Sequence, residues 1–402
     1  MNETRNTAAL NILILNSARR WIGEAAHNVA LAEALRKRGH KVVLALREGY
    51  EVEARAREAG LPVLSLRFTS RFHPLADLGD VRKIRRVCRE EEIDLIHANR
   101  GKDHWSAAVA RAFMKNPPPL VRSRHVVVPS RQHIANRWLF KHATQGLLCV
   151  SKAARASLGK LARNFHNMSE DETHLRDPDS IDRVILSSVD TERFHPEKRS
   201  QAVRREICGG RDPENLIIVG LIARMQRIKG QREFLVSAAL LEREHPNVHF
   251  LLAGRRGPDH RTGLLEFARE KGLDPSKVTV LGMVDNLPEI MASLDIGAVA
   301  SLGSEGSSRV SLEYMASGLP IVSTTAGGIP ELLDEGEQAF LVNPGDSRTM
   351  AERLTRLVEN PALRRRMGGA GRRTTEERHS VDIWVRQIEA FYRTVIVHSA
   401  EQ

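Results

Sequence analysis

The chain has 402 residues, more than one hydrophobic core usually serves, so two domains of about 200 residues each are expected. Hydrophobic residues at 41% and charged residues at 28% exclude a disordered chain, and three scattered cysteines (Cys88, Cys149, Cys208) without a CxxC pair suggest neither a disulfide framework nor a structural zinc. The net charge of +11 is one-sided: residues 1–195 carry 33 Lys+Arg against 22 Asp+Glu, whereas 196–402 carry 28 of each.

The first residues, MNETRNTAAL, lack a basic segment followed by a long apolar stretch, and no apolar run reaches the ~18 residues needed to span a bilayer. A cytoplasmic protein is expected. NILILN, the helical HNVALAEALRKRGH and KVVLAL then read as strand, helix and strand, a βαβ unit of a parallel sheet, with Gly39 ending the helix. Helical EVEARAREAG, a strand at Leu61 to Leu66, a basic helix around Val81 to Glu92 and the apolar strand DLIHA continue the alternation. After Pro117 to Pro119 come a strand LVRSRHVVV, a buried strand GLLCVS and a helix opening with SKAARASL. Arg163 to Ser180 is polar without a period and reads as a surface loop. It contains Asp177-Pro178-Asp179, a carboxylate pair of the kind that holds a divalent ion, but the intervening proline and the loop setting argue against a metal there.

The chain divides near Phe194 to Pro196, giving expected domains 1–195 and 196–380 and a closing helix at 381–402. The second series runs NLIIVGLI, a helix from Gln231, VHFLLAG, a helix near Leu264 to Lys271, VTVLG, DIGAVAS, a helix from Ser308 to Ser317, PIVST and AFLV: again an α/β, Rossmann-like pattern. The last helix carries Trp384, Ile388 and Phe391 on an apolar stripe, so it docks on something.

Two constellations point to chemistry. In SEGSSRVSLEYMASGLPIVSTTAGGIPE, Glu305 and Glu313 stand on either side of a strand-to-helix junction, and the small Gly306, Ser307 and Ser308 leave the first helical N–H groups approachable by an anion. Carboxylates there accept hydrogen bonds from sugar and ribose hydroxyls. In ARMQRIKG, Arg224 and Lys229 follow a strand end, where both can reach one phosphate; in an open α/β sheet that loop and the one at Glu305 belong to the same crevice.

With these strings the chain resembles the family-4 retaining glycosyltransferases over nearly its whole length. The ordered matches are Arg224 to Gly230, Ala253-Gly254, Leu281-Gly282, Glu305 with Glu313, Gly318-Leu319-Pro320, and GGIPE at Gly327 to Glu331. The resemblance implies a GT-B fold: two Rossmann-like domains with parallel sheets facing a central cleft, and a C-terminal helix packing back toward the first. It also implies that Arg224 and Lys229 hold the diphosphate of a nucleoside diphosphate sugar. Glu313 would take the ribose, Glu305 the sugar, and Gly306, Ser307, Ser308 and Arg309 the distal phosphate or sugar. Leu281 with Gly282, Met283 and Val284 would line the base, and His125 would lie beside the reacting sugar. No cofactor or metal is expected.

Departures from the family pattern concern the other side of the reaction. Ile22-Gly23 replaces a Gly-Gly pair, so that Gly23 alone is expected to approach the donor sugar, Ser187-Ser188-Val189-Asp190 stands for N-G-V-D, and His97-Ala98-Asn99 for His-x-His. Acceptor contacts are expected at His97, Asn99, Asp103, Arg122 and Arg124. Twelve basic residues against one acid between Arg100 and Lys160, interleaved with Trp105, Trp138 and Phe140, suit an anionic or membrane-presented acceptor such as a lipopolysaccharide core or another phosphorylated glycolipid. The protein is then expected peripherally on the inner face of the cytoplasmic membrane, with no nucleic acid as partner. A nucleotide-sugar epimerase of the same architecture, a non-catalytic scaffold and a nucleic-acid-binding protein stay open as alternatives at this point.

Overall fold

Strands covered by helices on both faces carry unbroken apolar runs, which accounts for NILILN and its successors. The computed structural model describes residues 8–70, 73–165, 180–255 and 261–401. It contains β1 (Asn11–Asn16), β2 (Lys41–Arg47), β3 (Val63–Leu66), β4 (Leu95–Ala98), β5 (Leu120–Arg124), β6 (Gly146–Cys149) and β7 (Asp182–Val184), all parallel, in the order β3-β2-β1-β4-β5-β6-β7. Ile12 of β1 is paired with Val42 on one side and Leu95 on the other, and the order reverses between β1 and β4.

The second sheet has the same logic. Its strands are β8 (Ile217–Ile222), β9 (Val248–Ala253), β10 (Val278–Leu281), β11 (Ile296–Val299), β12 (Ile321–Thr324) and β13 (Ala339–Val342), parallel in the order β10-β9-β8-β11-β12-β13. Its reversal lies between β8 and β11. A core of Phe234, Phe250, Ile296, Leu354 and their neighbours fills the space between sheet and helices.

Contacts divide the chain into Met1–Ser187 with Asp382–Gln402, and Ser188–Val381. The final helix, Val381–Ala400, thus leaves the second unit and packs on the first. Phe391 and Val395 lie over Gly146, where a Cβ would meet Val395 at 2.6 Å, and Tyr392 and Trp384 are buried among the first unit's residues. Residues 188–195 pack with the second unit, eight residues before the division read near Pro196.

Several sequence expectations need correction. LVRSRHVVV is a strand only to Arg124, so His125 stands just beyond the sheet in irregular backbone. The basic helix begins at Pro74 rather than near Val81, because His73 caps it and proline occupies its first turn. Helices Ser347–Glu359 and Pro361–Arg378 and strand β7 add to the elements read from the pattern. Of the expected loop, Arg163 to Phe165 close a 3₁₀ turn, and Asp177 and Asp179 lie outside the described residues.

Candidate active site

In the second unit the reversal of strand order brings the loops after β8 and β11 together at the carboxyl ends of the strands, the place where open α/β sheets bind ligands. The β8 loop carries Arg224, exposed, and Lys229, largely buried. The β11 loop carries Glu305. The Lys229 ammonium donates to Glu305 Oε1, which also accepts from the Ser301 hydroxyl. This ion pair joins the two loops that the sequence assigns to one crevice.

Backbone geometry fixes both ends of the pair. Gly230 directly follows Lys229 with φ of +72°, and a Cβ there would lie 1.8 Å from the Ala300 carbonyl oxygen, so only glycine lets the two loops approach this closely. Gly327 of the GGIPE string plays the same part for Glu305. Its φ is +63°, a Cβ would sit 2.1 Å from the Glu305 carbonyl oxygen, and the Gly328 N–H donates to that same oxygen at 2.8 Å. Ser304 holds φ of +60°, an uncommon backbone state for a non-glycine residue, next to the glutamate it aims.

The helix Arg309–Ala316 starts at Ser308 with no side-chain cap and no acid in its first turn, leaving its positive end suited to an anion. Ser308 is buried, Gly306 is buried, and Ser307 and Arg309 are half-buried. Tyr314 anchors the helix: its hydroxyl donates to the Gly220 carbonyl and accepts from the Ile222 N–H, each at 2.9 Å. Glu313 precedes it, 3.7 Å from Arg309, and burial raises its carboxyl above the usual range while the Arg309 and Arg193 charges pull it back. Near the end of β10, Gly282 accepts a hydrogen bond from Gly254 N–H at 3.1 Å, and Met283 is 61% exposed, an apolar side chain presented to solvent.

The first unit has its own reversal between β1 and β4. His125 Nε2 lies 3.0 Å from Asn99 Oδ1, and Asn99 Nδ2 donates to Leu15 O at 3.1 Å. The amide is therefore oriented by the sheet, which makes Nε2 the protonated nitrogen of His125 and leaves Nδ1 as an acceptor. Burial, followed by the charges of His27 and His97, drives the His125 imidazole well below its ordinary range, so it is neutral at pH 7. Its ring stands edge-on to His27 at 5.0 Å, and His27 in turn packs on Trp384 at 4.5 Å.

Two residues expected at the acceptor are committed elsewhere. Asp103 is fully buried, accepting from Ser17 N–H and Arg100 N–H at 2.9 Å each, so it ties the β1 loop to the helix Gly101–Ala112. His97 is 1% exposed and bonded to the Tyr392 hydroxyl and Ser123, and burial drives it down to about 3. Both hold the framework. Arg122 is buried too, donating to Ala98 O at 3.3 Å, whereas Arg124 is half-buried and bonded to Ser157 Oγ at 3.1 Å. Phe140, read as part of a basic-aromatic surface, is buried with its ring against His104. Gly23 is exposed at the start of the helix Gly23–Lys37, which has no side-chain cap.

Glu24, next along, was not legible in the pattern. It accepts from Asn16 Nδ2 and Arg100 Nη1, each at 3.3 Å, and burial raises its carboxyl to about 7, the nearby Arg100 and Arg122 charges opposing and Asp103 reinforcing the shift. Only its contact with a distant arginine reveals it. A raised folded-state value means stability that is complete below pH ~4.5 and lost as pH rises through 7, roughly 3 kcal/mol in all. Glu24→Gln should therefore gain on the native chain between pH 5 and pH 8 by about 2–3 kcal/mol in denaturant unfolding; a constant difference across that range would refute the shift.

Among the described residues no group of three or more His, Cys, Asp or Glu is arranged to hold a metal, and no helix is long and apolar enough to cross a membrane. A model of glycosyltransferase family 4 matches residues 23–165, and one of glycosyl transferases group 1 matches 215–360. The chain belongs to this glycosyltransferase family. Relatives include the D-inositol 3-phosphate glycosyltransferase of Corynebacterium kroppenstedtii, 31% identical over 48% of this chain and 43% of that one. The N-acetyl-alpha-D-glucosaminyl L-malate synthase of Bacillus anthracis is 24% identical over 81% of each chain. The chain spans about half the length of several of the curated relatives it matches. Among solved structures, a glycosyltransferase of Rickettsia africae superposes with a TM-score of 0.81 at 18% identity over 96% of this chain and 98% of that one. Anabaena HepE, solved with UDP and glucose, gives 0.76 at 23% over 94% and 98%. These two likenesses establish the GT-B-type fold of the family member.

Proposed function

We propose that the protein transfers a sugar from a nucleoside diphosphate donor to a hydroxyl of an anionic, membrane-presented glycolipid, with retention of anomeric configuration. The observation that carries the donor half is the meeting of Lys229 with Glu305 beside the uncapped start of Arg309–Ala316. As the glycosidic C–O bond breaks, the departing diphosphate takes the electron pair. Lys229, Arg224 and the helix end are positive sources placed for that charge, and fixed donors of this kind each contribute about 3–4 kcal/mol to the transition state. The acceptor oxygen attacks the same face of the sugar and its proton passes to the leaving phosphate. Glu305 and Glu313 accept from sugar and ribose hydroxyls, and neutral His125 offers Nδ1 to a further hydroxyl. The positive charge comes from the protein, and a divalent ion has no part in the proposed step.

Two things support an anionic acceptor: the cationic excess between Arg100 and Lys160, and the names of relatives that act on an inositol phosphate and on malate. Lipopolysaccharide core is the leading candidate. The test is thermal unfolding against a panel of nucleotide sugars, followed by mass spectrometry of donor incubated with and without phosphorylated glycolipid. Stabilisation by one donor and mass gain of the lipid are expected. Conversion of donor to its epimer without any acceptor would instead establish the isomerase reading, and no stabilisation by any donor would end both.

A further inference from the structure

The three helices on one side of the first sheet, Pro74–Glu90, Gly101–Ala112 and Ile134–His142, share a core through Ile84, Ala108 and Leu139. Their outer surface is unusual in charge. Arg82, Arg85, Arg86 and Arg89 recur at helical spacing and so form one stripe. With Lys115 they line a cavity of about 630 Å³ whose apolar lining includes Ile93 and Met114, and one acid, Glu92, stands among these five cations. Among the described residues, Arg82, Arg85, Arg89 and Lys115 make no ion pair, and Arg86 reaches only Glu90, at 3.6 Å, with both side chains more than half exposed. Like charges one turn apart repel, and a cleft concentrates their field on whatever enters it.

Large apolar side chains lie on, or directly after, the same helices. Phe113 is 62% exposed with the Arg85 guanidinium 5.8 Å from its ring centre. Leu75 and Ile134 are 79% and 83% exposed, and Trp138 stacks on Trp105 at 6.3 Å while remaining half in solvent. Single exposed apolar residues are ordinary. Here they accompany a stripe of four arginines with a net positive charge on one helical layer, the combination that gains from phosphate headgroups and the acyl boundary together. A second copy of the chain would bring like charge against like charge. Nucleic acid would satisfy the arginines but leave Leu75 and Ile134 in water.

We infer that this helical face docks on a bilayer containing anionic phospholipid, with the arginine stripe over the headgroups and Phe113, Ile134 and Trp138 entering the interface. The inference rests on the proposed function only in giving a membrane-presented acceptor its place. It is tested on the full chain by flotation with vesicles of phosphatidylcholine alone and with about 30% phosphatidylglycerol, at low and high salt. Removing one surface cation weakens such binding about fivefold, so Arg82→Ala, Arg85→Ala and Arg89→Ala together should weaken it about a hundredfold. Phe113→Ser should weaken the binding that survives high salt, and Phe113→Ser with Ile134→Ser and Trp138→Ser should remove it. Donor-induced thermal stabilisation is measured on the same variants and should not change. Flotation lost with donor stabilisation intact supports the surface. A native chain that ignores anionic vesicles, or a triple variant that binds them as well as the native chain, overturns it without touching the transfer reading. Binding to duplex DNA but not vesicles, or a dimer dispersed by Phe113→Ser, also overturns it. Vesicle binding without any donor response would keep the surface and reject the transferase.

Discussion

Lys229→Ala is expected to lower kcat/KM for sugar transfer about 10²–10³-fold, the usual consequence of removing one preorganised donor from a developing anion. Two effects combine. In the proposed reaction the departing diphosphate loses a fixed cation, and Glu305, 9% exposed, keeps only the Ser301 hydroxyl as partner for its Oε1. An uncompensated buried carboxylate costs about 1–3 kcal/mol of stability. The two contributions separate in a double variant: Lys229→Ala with Glu305→Gln should recover most of the lost melting temperature and none of the lost rate. Steady-state kinetics and thermal unfolding with and without donor decide the matter. A Lys229→Ala protein stabilised by donor as strongly as the native chain would remove the phosphate role from this residue.

Gly327→Ala should act on the same site without touching a functional side chain. Alanine at φ of +63° costs about 1–2 kcal/mol by itself, and the added Cβ overlaps the Glu305 carbonyl oxygen, 2.1 Å away, which the Gly328 N–H also holds. The loop must shift, and the carboxylate moves with it. A fall of about 3–4 kcal/mol in unfolding free energy and at least tenfold in transfer rate is expected. Gly336→Ala is the control, because Gly336 has φ of +81° with nothing within 4 Å of its missing Cβ. It should show the conformational cost alone, about 1–2 kcal/mol, at native activity. Equal losses in the two variants would mean that the close approach to Glu305 is unimportant.

The proposed donor half was written locally: Arg224, Lys229, Glu305 and Glu313 stand at the ends of buried strands or in the first turns of a helix, and parallel topology brings such ends to one edge of the sheet. Residue type and spacing therefore sufficed to nominate them. The acceptor half was less legible because its chemistry depends on burial. Asp103 and His97 had the residue types of an acceptor site, yet one closes a backbone junction and the other is bonded to a tyrosine of the final helix, 295 residues away in sequence. Glu24 and Phe140 erred in the opposite directions, one overlooked and one overvalued, for the same reason.

The sequence by itself determined the two α/β units, the parallel sheets and the chemical type of the donor loops, since strand and helix periods and glycine positions are properties of neighbouring residues. Only the tertiary structure decided which charges meet: that Lys229 neutralises Glu305, that Arg100 faces Glu24, and that Arg82, Arg85 and Arg89 share a cavity with Glu92 yet make no ion pair among the described residues. Pairing and desolvation depend on distance through space, and a linear pattern of residue types carries no such distance.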